Sequence, residues 1–250
     1  MNSDESSNRS SVAYYYDSVA ETWDKSYGAG RLSARFARQL HDHLKLLLAN
    51  VSGSAQALEV GAGTGPYIAI TAPLFDSVIA TDLSEGMLAV FARRLRALGL
   101  RNVTLMQQDA CQLTGIAPES VDVVYSIGLL ETIADFDRLF GAIHRVLKPH
   151  GIVAAISSNG DCPWYALRQW IEGGERHGRT GTFATATRLS DALSRAGFAP
   201  PEIVYWGAAP PALQNRVIGA ALAAAEAVIA PTPLARYLGV LSFRASKRSP

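Results

Sequence analysis

The sequence predicts an α/β fold, a largely parallel sheet wound on both sides by helices. Three observations point there. Short β-branched or apolar runs alternate with helix-like segments along the chain. The first five runs read as continuously apolar, the pattern of strands covered on both faces. The residues best suited to hold a ligand fall just after the ends of successive runs, where sheets of this kind place their sites.

In chain order, Leu32–Ala49 reads as a helix and Ala55–Val60 as the first strand. A glycine-rich turn follows, and Pro66 fits the opening of a short helix at Tyr67–Pro73, since proline lacks only an N–H that a first turn leaves unused. Strand Ser77–Asp82 leads to helix Ser84–Leu98, with Ser84 as its N-cap and Met87 at the third position. Strands Asn102–Gln108, Val121–Ile127 and Gly151–Ser157 come next, with helix Phe136–Leu147 before the last of them. Helix Arg188–Ala196, strand Glu202–Gly207, helix Leu213–Ile229 and strand Leu238–Ala245 complete the pattern. Crossovers between parallel strands are expected to be right-handed.

Composition narrows the function. The 250 residues carry a formal net charge of +1, which argues against electrostatic binding of nucleic acid. With 48 % hydrophobic residues the chain can bury a core without staples. Cys111 and Cys162 lie far apart, with no His or Cys at metal spacing, so no disulfide framework and no metal site is expected. Residues 1–12 are polar and read as a disordered tail without an export signal, so the expected location is cytoplasmic. Mean hydropathy is +0.10, and the most apolar stretch, Val217–Ala230, has 12 apolar residues in 14, too short to span a bilayer.

The first strand runs into Glu59-Val-Gly61-Ala62-Gly63-Thr64-Gly65-Pro66. This is neither the dinucleotide fingerprint nor a phosphate loop, because the glycine spacing differs and no Gly-Lys-Ser/Thr follows. Glu59 would repel a pyrophosphate and would suit a ligand with a positive amino group. A plain tight turn is the alternative. Asp82, ending the second strand, can accept hydrogen bonds from both hydroxyls of a ribose, or can cap the next helix. Asp109, after the third strand, can accept an adenine amine, with small Ala110 leaving room for the ring.

Taken together, Glu59-Val-Gly-Ala-Gly-Thr-Gly65, Asp82 and Asp109-Ala110 resemble the class I S-adenosylmethionine-dependent methyltransferases. Val121–Gly128 and Ile143–Val153 extend the likeness, which covers about Ala55–Ser157. The resemblance implies a Rossmann-like, seven-stranded, mostly parallel sheet with the last strand antiparallel. It implies S-adenosylmethionine as cofactor, with Gly61, Ala62 and Gly63 at its methionine part and Glu59 at its amino group. Asp82 would hold the ribose, Leu83 and Met87 would lie near the adenine, Asp109 and Ala110 at its edge, and Ser126 beside the reacting end.

The segment Tyr14–Asp24 resembles the opening helix of small-molecule members, which closes over the cofactor. Tyr15 there could meet a sulfonium with its ring, or anchor the helix to the core. Arg31 could pair with the cofactor carboxylate or lie on the surface. After the fourth strand, where many relatives carry a histidine, this chain has Glu131, a base, a substrate-amine ligand or a helix cap. His177, in a long loop, is the second catalytic candidate. Trp164, Tyr165 and Trp170 could line a pocket or pack.

The expected organisation is a single domain over 13–250, with lid helices at 13–50, a cofactor core at about 51–158 and substrate-side additions at about 159–236. The expected partner is a small, apolar or lipid-like molecule, with no nucleic acid and no spanning membrane segment. The helix at 213–230 would pack on its own chain, form a homodimer contact or meet a lipid surface. A non-catalytic cofactor-binding module and a macromolecular methyltransferase are the alternatives.

Overall fold

The structure, a computed structural model, describes residues 3–26, 34–51, 54–165, 167, 183–208 and 216–248. Two helices, α1 (Ser3–Ser26) and α2 (Ala34–Leu47), precede the sheet. Then follow β1 (Gln56–Val60), α3 (Ile68–Thr71), β2 (Ser77–Asp82), α4 (Glu85–Leu98), β3 (Val103–Gln107), β4 (Val121–Ile127), α5 (Phe136–Val146) and β5 (Leu147–Ser158). The rest comprises α6 (Ala186–Arg195), β6 (Glu202–Trp206), α7 (Arg216–Ile229) and β7 (Val240–Ser246).

The sheet order is β3-β2-β1-β4-β5-β7-β6. The first five strands are mutually parallel, and β7 pairs antiparallel with both β5 and β6. The expected sheet, antiparallel last strand included, is therefore the one observed. Since β6 runs parallel to β5, its carboxyl end shares a rim with the ends of β1–β5. Strand order reverses between β1 and β4, and the turn after β1 stands at that point.

Alternating side chains divide the strands between two cores. Leu58, Val60, Val124, Val153 and Phe243 face α5 and α6, with Leu139, Phe140, Ile143, Leu189 and Leu193. Ala57, Val78, Val123, Tyr125 and Ile156 face α2, α3 and α4, with Leu40, Leu44, Ile68, Phe91 and Leu95. Each fully buried Leu or Phe contributes about 1.5–3 kcal/mol of transfer free energy. In α2, Phe36, Leu40, Leu44 and Leu47 recur at helical spacing and all are buried.

Four features differ from the sequence reading. Strand β3 is an edge strand whose residues are at most partly buried, with Thr104 and Gln107 exposed, so its apolar run is not fully covered on either face. Strand β5 begins at Leu147, paired with Val121, and a register shift lies between Val121 and Val123. Helix α1 begins at Ser3, inside the segment read as a disordered tail.

The fourth concerns α7, which the apolar sequence pattern places under cover. Ala220, Ala221, Ala224, Ala225, Ala227 and Val228 are exposed, and among residues 220–229 only Glu226 is buried. The acid is inward because four donors meet it. Its Oε2 accepts from Arg35 Nη2 (2.8 Å) and Ala208 N (3.4 Å), and its Oε1 from Gln39 Nε2 (2.7 Å) and Gly207 N (2.9 Å). The helix is thereby fixed to α2 and to the exit of β6. No described helix is long and apolar enough to cross a membrane.

Candidate active site

The β1–α3 turn is built from three left-handed glycines, each with its own reason. Gly65 (φ +67°) faces the Phe91 ring, where a Cβ would come within 2.1 Å of the ring edge. Gly61 (φ +68°) faces Leu129, where a Cβ would come within 2.6 Å. Gly63 (φ +56°) has nothing within 4 Å of a virtual Cβ. Two glycines thus admit neighbouring side chains, and the middle one leaves open space at the switch point of the sheet.

Asp82 stands beside that space and organises its edge. Its Oδ2 accepts from Gly63 N (2.7 Å) and its Oδ1 from Ser84 N (2.9 Å). Burial raises its pKa, while those amides and that of Leu83 oppose the rise. Ser84 caps α4, accepting from Met87 N at 3.0 Å, so Asp82 is not needed as the cap. Each Asp82 oxygen keeps acceptor capacity toward the open side. Leu83 is partly buried and Met87 fully buried.

Glu59 is 2 % exposed and its carboxyl pKa is pushed up to about 8. Burial is the main cause, and the charge of Asp82 adds to it. Against both works a 3.0 Å hydrogen bond from Tyr125 Oη to Glu59 Oε2. Tyr125 Oη also lies 2.9 Å from Thr71 Oγ1. Tyr67 completes the enclosure, its pKa raised to about 12 by burial and then by the charges of Asp24 and Glu59.

At the end of β3, Asp109 turns partly inward. Its Oδ1 accepts from Cys111 N (2.8 Å) and its Oδ2 from Gln112 Nε2 (3.3 Å). Ala110 beside it is partly buried, and Ser126 at the end of β4 is 8 % exposed. Glu131 does not cap α5, because Asp135 does so by accepting from Arg138 N. Glu131 is instead buried, its Oε1 accepting from Ser158 N at 2.9 Å, which ties the exit of β4 to the end of β5.

Helix α1 is fastened across this region by acids the sequence reading left off the site. Asp17 Oδ1 accepts from Ser84 Oγ (2.5 Å) and Gly86 N (2.9 Å). Asp24 accepts from Thr64 Oγ1 in the glycine turn and pairs with Arg94. Glu21 pairs with Arg93 at 2.5 Å. Asp17, Glu21 and Asp24 stand at i, i+4 and i+7, one helix face, and that spacing was the available signal. Tyr15, the residue singled out, makes an edge-to-face contact with Tyr16 at 5.3 Å.

Glu59, Gly61, Ala62, Gly63, Asp82, Leu83 and Ser126 thus cluster around the β1, β2 and β4 ends, with Asp109 and Ala110 at the β3 end. Arg31, Trp170 and His177 lie outside the described residues. Trp164 and Tyr165 follow β5, and Tyr165 packs on Phe183 at 4.8 Å. No group of His, Cys, Asp and Glu among the described residues could hold a metal ion.

Comparison with known proteins bears on this geometry. Residues 58–155, which carry every strand end around the open glycine, match the family profile described as a methyltransferase domain. A malonyl-[acyl-carrier protein] O-methyltransferase of Methylovorus sp. (strain MP688) is 31 % identical over 198 residues, 76 % of this chain and 66 % of the relative. The chain belongs to the S-adenosylmethionine-dependent methyltransferases. A demethylmenaquinone methyltransferase of Geobacillus stearothermophilus is 33 % identical over 114 residues, 44 % of this chain and 48 % of that protein. This methyltransferase chain thus spans about half to two thirds of the length of these relatives. A solved structure of Haemonchus contortus phosphoethanolamine N-methyltransferase 2 with S-adenosyl-L-methionine shares the fold, with a TM-score of 0.68 at 20 % identity, covering 97 % of this chain and 60 % of the other.

Proposed function

We propose that this protein transfers the methyl group of S-adenosylmethionine to a small, apolar or lipid-like acceptor by in-line displacement. The observation that carries the reading is the open face of Gly63, whose N–H bonds the Asp82 carboxyl, on a turn entered from the strand that buries Glu59. A buried acid with no described Lys or Arg among the causes of its shift, on the strand leading into a glycine-lined turn, suits a ligand that brings a positive amino group and a ribose.

The cofactor, when bound, supplies a methyl group activated by a sulfonium. The chain orients and encloses. Glu59 takes the ammonium, Asp82 the ribose hydroxyls, and Leu83, Asp109 and Ala110 the adenine, with Met87 in the shell behind. Gly61, Ala62 and Gly63 present main chain to the methionine part, and Arg31 is assigned to its carboxylate. Ser126 flanks the reacting end, and α1, with Tyr15, excludes water. Orientation of this kind lowers a barrier by about 7–11 kcal/mol in favourable intramolecular cases. Glu131 and His177 are the acceptor-side candidates for a base.

The acceptor class rests on the near-zero net charge and on what the relatives' names state, a malonyl-carrier O-methyltransferase and a demethylmenaquinone methyltransferase. The same reading keeps nucleic acid out and places the protein in the cytoplasm, in keeping with two free cysteines. It gives the outward apolar side of α7 to a second copy of the chain, and a monomer by sedimentation would overturn that last part. Calorimetry with S-adenosylmethionine on wild type and Asp82→Ala tests the core. Micromolar binding by the first and none by the second is expected. Equal affinity removes the ribose assignment, and no binding by either removes the function.

A further inference from the structure

Tyr125, on the central strand β4, is bonded to Glu59 and 1 % exposed. A buried tyrosine hydroxyl there needs a partner, and this one has two, Glu59 Oε2 at 3.0 Å and Thr71 Oγ1 at 2.9 Å. A hydroxyl both donates and accepts, and so does the threonine behind it. With Glu59 charged, Thr71 donates to Tyr125 and Tyr125 donates to the carboxylate. With Glu59 neutral, its proton points at Tyr125 and the donors reverse. Neither state requires a heavy atom to move.

We propose that Tyr125 is a positioning residue which, backed by Thr71, holds the Glu59 carboxyl in place in both protonation states and so couples arrival of the cofactor's ammonium to loss of one proton from Glu59. The inference rests on the assignment of Glu59 to the ammonium. The O–H bond of Glu59 breaks, the proton passes to solvent buffer, and the carboxylate left behind pairs with the incoming cation.

The groups facing Glu59 agree with this. Asp82 on β2 opposes its ionisation, Tyr67 before α3 is held neutral, and Tyr125 on β4 supplies the hydrogen bond that favours the charged form. Asp24 of α1 lies close enough to act on Tyr67. No described lysine or arginine is among the causes of the Glu59 shift, so the charged state awaits a cation from outside. With a pKa of about 8, Glu59 enters binding mostly neutral at pH 7.

The test is calorimetric titration of the full chain with S-adenosylhomocysteine in buffers of different ionisation enthalpy at pH 7. Release of close to one proton is expected. Methylthioadenosine, which lacks the amino group, is expected to release none. Tyr125→Phe and Thr71→Val are then compared with wild type from pH 6.5 to 9.5, with thermal melts confirming folding. Taking the ratio of dissociation constants at each pH cancels titration of the ligand's own amine. For Tyr125→Phe the ratio is expected near tenfold at pH 7, about one pKa unit, shrinking toward one at the top of the range. Thr71→Val is expected to change in the same sense and less. A pH-independent ratio, or buffer-independent enthalpy in the wild type, overturns the proposal. Glu59→Gln separates the two ideas. If it binds as tightly as wild type, the ammonium assignment fails, whereas weak binding beside a flat Tyr125→Phe ratio condemns only the coupling.

Discussion

The hydroxyl of Thr64, between Gly63 and Gly65, donates a 2.7 Å hydrogen bond to Oδ1 of Asp24 on α1. The helix that covers the site is thereby bonded to the turn that would touch the cofactor. Thr64→Val keeps the shape and removes the bond. With about 1 kcal/mol at stake, S-adenosylhomocysteine should leave roughly fivefold faster in stopped-flow chase experiments. An unchanged rate would mean that α1 does not limit release.

Glycine substitutions should separate packing from binding. At Gly65 a Cβ meets the Phe91 ring at 2.1 Å, so Gly65→Ala should unfold at clearly lower temperature. At Gly63 a Cβ meets nothing, so Gly63→Ala should cost about 1–2 kcal/mol of left-handed strain. Its loss of cofactor affinity should exceed that. A Gly63→Ala protein that binds normally would show that the open face is not the cofactor's.

Glu59 makes the cofactor-free protein pH-sensitive. The unfolded chain loses this proton near pH 4.5, and the folded one holds it to about 8. Folding stability therefore falls as pH rises between those values and is level above them. Glu59→Gln removes that slope. Without cofactor its melting temperature should exceed that of wild type at pH 8.5, with the gap closing toward pH 4.5. A variant that melts lower at pH 8.5 contradicts the assignment.

Glu226 behaves in the opposite sense. Its four donors hold its pKa below the ordinary carboxylate range against the cost of burial. Its contribution is complete above about pH 4.5 and is lost as pH falls through the folded pKa. Glu226→Gln puts an amide NH2, a donor, where donors converge, and urea unfolding should show a loss of about 2 kcal/mol at pH 7. The deficit should shrink as pH falls below about 4.5 and through the folded pKa. A deficit independent of pH would point to shape rather than charge.

Glu131→Gln keeps an acceptor for Ser158 N, so melting should not change. If Glu131 is the base, the turnover number should fall by roughly 10²-fold at neutral pH. Full activity would leave it with the tie to β5 alone.

The strands were legible because period and turn chemistry are local. Glu59, Gly61–Gly65 and Asp82 could be read because each sits at a strand end. Tyr125 could not, since its partner Thr71 is 54 positions away and its burial looks like any core aromatic. Asp17 and Asp24 could have been read, from their shared helix face. The burial of Glu226 could not, because Arg35, Gln39 and Gly207 reach it from distant parts of the chain. Hydrophobic periodicity argues for the opposite orientation of α7.

That inverted helix has a consequence for how this family member can change. Apolar contact tolerates several degrees of tilt, but four donors converging on two oxygens do not. Helix α7 is therefore pegged at one angle by a single carboxylate, and its outward positions bear little of the attachment. Those positions can be exchanged one by one without loosening the peg. The rim beyond β6 is thus free to diversify while the cofactor half, which shares none of the peg's residues, keeps its form.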